Sequence, residues 1–104
     1  MKRTYLTMSA LISALVAHAP AFADQALATQ KNCMSCHAVD KKVVGPAYKD
    51  VAKKYAGNAK AADMLAAKVI KGGAGVWGPV PMPANTQVNE ADAKKLVAWI
   101  LAMK

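Results

Sequence analysis

The chain is short of several things at once. Its single arginine is Arg3, and after residue 23 there is no phenylalanine and only one histidine, His37. Cys33 and Cys36 are its only cysteines. Leucine, isoleucine and valine number 15 over residues 24–104. These shortages exclude whole classes of function. With no arginine after Arg3 and no recognition motif, the basic charge does not read as nucleic-acid binding. Beyond Cys33 and Cys36 a zinc site would need two more Cys or His ligands, and residues 24–104 supply only His37. With His37 as the sole histidine after residue 23, a histidine-based triad is also excluded. No alternating strand pattern is present, so Cys33 and Cys36 do not sit in a thioredoxin-like βαβ frame. An apolar content this low warns of a chain that cannot build a core by itself.

The first 23 residues read as a secretory signal. Lys2 and Arg3 open it, residues 5–17 are mostly apolar but too short to span a bilayer, and Ala21-Phe22-Ala23 is an A-x-A cleavage site. The mature chain is expected to begin at Asp24 and to be exported to the periplasm, where a Cys33–Cys36 disulfide is also allowed. Residues 24–104 then form one small domain. They hold twelve lysines against six acids, a net charge of +6. That lysine surface suits steering toward an acidic protein partner, or solubility alone.

Periodicity predicts an all-α domain of four to five short helices. A first covers about 24–31. A second covers 47–55, with Tyr48, Val51, Ala52 and Tyr55 on one face, Pro46 before it and Gly57 after it. A third covers 59–71, with Leu65 and Val69 on one face and Gly72-Gly73 as its stop. A last covers about 90–103, N-capped by Asn89, with Leu96, Val97, Ile100 and Leu101 as its apolar stripe and Lys94 and Lys95 facing water. Between the third and last lies a loop over 72–88, rich in glycine and proline and long enough to suggest a function.

The chemistry concentrates in Cys33-Met34-Ser35-Cys36-His37. Two thiols three positions apart with an adjacent imidazole are an attachment site for a c-type haem, with a thioether from each cysteine and His37 as an iron ligand. The haem would also supply the missing apolar core, leaving the apo-chain poorly folded. With no second histidine, a methionine is the natural ligand for the other face. Met34 lies between the attaching cysteines and cannot reach that face, and Met64 and Met103 fall on predicted helices. Met82 lies in Trp77-Gly78-Pro79-Val80-Pro81-Met82-Pro83, where three prolines restrict the backbone. It is the expected sulfur ligand, with core filling as its other reading.

On Cys33-Met34-Ser35-Cys36-His37-Ala38, Val44-Gly45-Pro46-Ala47-Tyr48-Lys49-Asp50-Val51 and the segment from Gly75 to Asn85, the chain resembles the class I cytochromes c, and specifically the bacterial cytochrome c-551 family. The resemblance implies that the Pro46 carbonyl accepts a hydrogen bond from His37. It also implies that Trp77 donates its indole N–H to a haem propionate and that Asn85 hydrogen-bonds near the Met82 sulfur. On the residues alone, Pro46 opening a helix, Trp77 filling the core and Asn85 shaping a turn serve as well. Lys68 stands where relatives often carry an arginine that contacts a propionate, and a lysine offers a point charge without the planar fork.

The expected function is a monohaem electron carrier, not an enzyme, diffusing as a monomer with no stable membrane insertion. By resemblance its donor is a cytochrome bc complex or another carrier. Its acceptor would be a terminal reductase such as a cytochrome cd1 nitrite reductase, or an oxidase. The rival is a small peroxidase-like enzyme or a gas sensor with an open sixth position, which would need a distal acid–base group.

Overall fold

A computed structural model describes residues 21–104, with side chains from Asp24 onward. The expected signal, residues 1–23, lies outside the described residues except for the backbone of 21–23. Among the described residues there are four α-helices, one 3₁₀ turn and no strand. The helices are α1 (Ala21–Gln30), α2 (Tyr48–Lys54), α3 (Ala61–Lys71) and α4 (Glu90–Leu101), and the 3₁₀ turn is Cys33–Ser35.

Local chemistry sets the boundaries. Helix α1 starts before the expected 24 because the alanine-rich run continues N-terminally. It ends at Gln30, and two residues on Asn32 takes a left-handed φ of 68°, a conformation asparagine reaches more readily than most residues. The chain then drops straight into the 3₁₀ turn, with Cys36 and His37 N–H both donating to the Cys33 carbonyl at 3.2 and 3.1 Å. Helix α3 starts two residues later than expected. Asn58 holds the preceding turn, its Oδ1 accepting from Lys60 N–H at 3.0 Å and its carbonyl from Ala61 N–H at 3.2 Å. Helix α4 begins as expected, the Asn89 side chain accepting from Asp92 N–H at 2.8 Å.

Helix α4 is the common wall. It packs against α1, α2 and α3. Its Ala93, Leu96 and Val97 meet Ala28, Ala66 and Val88 in one cluster, and Ile100 meets Tyr48 and Val51 in another. Four of the nine residues in those clusters are alanine or valine side chains facing α4, so the core is thin. Met34 touches both clusters and Met103 the second. Lys94 and Lys95 face water, Lys94 reaching Glu90 one turn back at 3.2 Å.

Candidate functional site

A cleft opens between α2, α3, α4 and the loop 72–88. Its walls are apolar, from Val51, Leu65, Val69, Val76, Val80, Val97 and Ile100, and its chemistry comes from Cys33, His37, Met82 and Lys68. Lys68 is the one charged side chain on the lining.

Short-range bonds bring the first of these groups together. Val44 and Gly45 N–H both donate to the Cys36 carbonyl, at 3.2 and 2.8 Å, folding the segment after the cysteines back on itself. That turn carries Pro46 to His37, whose Nδ1 lies 2.8 Å from the Pro46 carbonyl oxygen. A carbonyl only accepts, so Nδ1 carries the proton and Nε2 keeps a free lone pair. Tyr48 stacks on the imidazole at 5.0 Å between centroids, and Trp99 closes edge-on against Tyr48 at 5.5 Å. A Cβ on Gly45 would overlap the His37 ring. Sequence reasoning did not single out Gly45 or Tyr48 for this site; a glycine directly before Pro46, between the cysteine motif and a helix, was the available signal.

Both thiols are free and half-buried. Cys33 lines the cleft, and burial pushes its thiol above the ordinary value. Cys36 lies on the same turn but off the lining.

Met82 arrives from the loop. Residues 73 and 82 exchange backbone bonds, Met82 N–H to the Gly73 carbonyl at 2.7 Å and Gly73 N–H to the Met82 carbonyl at 3.0 Å. Gly72 makes this approach possible. Its φ is +78°, and a Cβ there would stand 2.6 Å from the Met82 carbonyl oxygen. Of the methionines with described side chains, Met82 alone lines the cleft; Met64 is 41% exposed on α3.

The remaining expected residues divide. Trp77 stands at the cleft mouth, 41% exposed, with Lys54 Nζ 5.5 Å from its ring centroid. Lys68 lines the cleft and lays its aliphatic stem over Gly73, where a Cβ would meet its Cε at 3.1 Å. Asn85 anchors the loop to α3. Its amide nitrogen donates to the Val69 carbonyl at 2.8 Å and the Pro83 carbonyl at 3.3 Å, and it does not line the cleft. Asn85 N–H also donates to the Val69 and Ile70 carbonyls, so the residue ties the loop to the end of α3.

These donors suit an iron porphyrin. Two thiols, an imidazole nitrogen and a thioether stand in or beside an apolar cleft, with a cation on its lining and no acid among the lining residues. No cluster of His, Cys, Asp or Glu among the described residues forms a separate metal site.

Known proteins resemble this arrangement closely. The sequence profile of the cytochrome c family, "Cytochrome c", matches residues 24–104. Cytochrome c-552 of Hydrogenobacter thermophilus is 59% identical over 83 residues, covering 80% of this chain and 84% of its own. Cytochrome c-551 of Allochromatium vinosum is 57% identical over 83 residues, covering 80% of this chain and 88% of its own. The crystal structure of wild-type Nitrosomonas europaea cytochrome c552 superposes with a TM-score of 0.75 at 54% identity, covering 77% of this chain and 99% of that one.

Proposed function

This chain belongs to the cytochrome c family, as a class I member of the c-551 type with one covalently bound haem c, and from that premise we propose a periplasmic carrier that delivers electrons to a respiratory terminal reductase. It is an electron-transfer protein, not an enzyme, and works with redox partners. We infer that the acceptor is a nitrite reductase of the cytochrome cd1 type, with electrons arriving from a cytochrome bc complex or another carrier. Residues 1–23 would be removed on export, leaving Asp24 at the first turn of α1, where its carboxylate suits the positive end of the helix.

In this reading Cys33 and Cys36 hold the haem as thioethers, and His37 and Met82 ligate its iron. When bound, the haem supplies a single-electron couple. The chain supplies everything that tunes it. The Nδ1–H donated to the Pro46 carbonyl fixes the imidazole's orientation and raises its basicity as a ligand. A methionine thioether raises the potential relative to a second nitrogen ligand. Pro79, Pro81 and Pro83 stiffen the segment that carries Met82, so little moves when one electron is gained or lost. The apolar walls exclude water. Lysines around the molecule would speed encounters at low salt and lose influence as salt rises. Among the described residues no helix is long and apolar enough to cross a membrane.

The observation that carries this reading is the meeting of Cys33, His37 and Met82 on one apolar cleft, with His37 Nδ1 already committed at 2.8 Å. The test is a visible spectrum of the holoprotein in both oxidation states. A low-spin spectrum with sulfur ligation, and no carbon monoxide binding by the reduced protein at neutral pH, is expected. Met82→Ala should open the site and lower the potential. Rapid carbon monoxide binding by the unaltered protein would remove the His/Met reading. For the acceptor, fast oxidation of the reduced protein by purified cytochrome cd1 nitrite reductase is expected, slowing as ionic strength rises; no measurable transfer would remove that partner.

A further inference from the structure

Residues 73–82 form a strap over the cleft, held firmly at its base and lightly at its tip. At the base, Gly73 and Met82 exchange two backbone bonds, and Asn85 ties the chain beyond to α3. At the tip, Gly75 N–H donates only to the Gly78 carbonyl, at 3.2 Å. Among the described residues no hydrogen bond joins 74–81 to a helix, and Val76, Trp77 and Val80 are 43%, 41% and 60% exposed. A ribbon with so few bonded pairs is marginal by itself. Fraying from the tip reaches the Gly73–Met82 pair next.

Among the described residues one cation–π contact crosses from the tip to the helices. Lys54, the last residue of α2, places its Nζ 5.5 Å from the Trp77 ring centroid and 6.0 Å from that of Tyr55. It forms no ion pair among the described residues. An ammonium within about 6 Å of an indole face is attracted by the ring's negative quadrupole.

We propose that Lys54 is a positioning residue that clasps the strap to α2 through Trp77 and so keeps Met82 seated. The proposal rests on Met82 being the iron ligand, as read above. Lys54 touches neither the iron nor its ligands; it acts by raising the free energy of the lifted strap.

The experiment uses the holoprotein and three variants. Lys54→Gln keeps the reach without the charge, and Lys54→Arg keeps a cation. Lys53→Gln removes the neighbouring charge from the same helix end, which tests for a helix-dipole effect. Two readouts are taken: amide hydrogen exchange at Gly73 and Met82, and the rate at which cyanide displaces the sulfur ligand of the ferric protein. Lys54→Gln should raise both by about two- to fivefold, the range of an exposed cation–π contact. Lys54→Arg and Lys53→Gln should leave both near the unaltered values. Unchanged rates in Lys54→Gln, or an equal rise in Lys53→Gln, would overturn the clasp. If Met82 is not the ligand, cyanide binds the unaltered protein without a strap-limited phase, and the exchange rates alone then decide for or against the clasp.

Discussion

Gly45 has no room for a methyl group, because a Cβ there would enter the space of the His37 ring. Gly45→Ala should push the imidazole off its Pro46 bond and destabilise the protein by about 1–3 kcal/mol, seen as a lower Tm and a loss of low-spin character. Gly72 and Gly57 separate two costs that glycine avoids. Both have φ near +77°, at +78° and +76°, but only Gly72 faces backbone, at 2.6 Å from the Met82 carbonyl oxygen. Gly57→Ala should cost about 1 kcal/mol for the left-handed backbone alone. Gly72→Ala should cost clearly more and also disturb Met82; equal Tm losses would contradict this. Tyr48 gives a pH dependence. Burial raises its hydroxyl above the ordinary value. The folded state then binds that proton more tightly than the unfolded state. Its contribution is complete below the unfolded value of about 10 and is lost as pH climbs past it. Tyr48→Phe should flatten the alkaline loss of stability in urea titrations run at rising pH.

Helix α4 carries more of the fold than any other element, since α1, α2 and α3 all lean on it. Leu96→Ala, at a side chain 2% exposed, should cost about 2–5 kcal/mol. Asn89→Ala, which removes the acceptor for Asp92 N–H, should cost about 1 kcal/mol; both are read from denaturant midpoints. The helices were legible in the sequence because their signals are contiguous: Tyr48, Val51 and Ala52 at spacings of three and one, Asn89 before an acidic first turn, Gly72 after α3. Their ends were less so. Asn58 delays α3 by bonding to Lys60 and Ala61, a local competition that periodicity does not register.

The molecule as a whole is a thin shell of small side chains around a cleft. Without the haem, that apolar lining faces water and the shell has little to close on. The apo-chain, made where the haem-attachment apparatus is absent, should lose its cooperative thermal transition and much of its helical circular dichroism. A sharp transition like that of the holoprotein would refute a cofactor-dependent core.

The attaching cysteines, the imidazole beside them, the helical stripes and the proline-braced methionine are all written in neighbouring residues. Each depends on covalent spacing or on one turn of backbone, so the chain specifies them before any distant segments meet. Other features exist only after packing. The Gly45 approach to His37, the Lys68 stem over Gly73, the reach of Lys54 to Trp77 and the engagement of Asn85 with Val69 each join groups far apart along the chain or across a turn. Which backbones come close, and which donors are already spent there, follows from how four helices share one wall, and no local pattern encodes it.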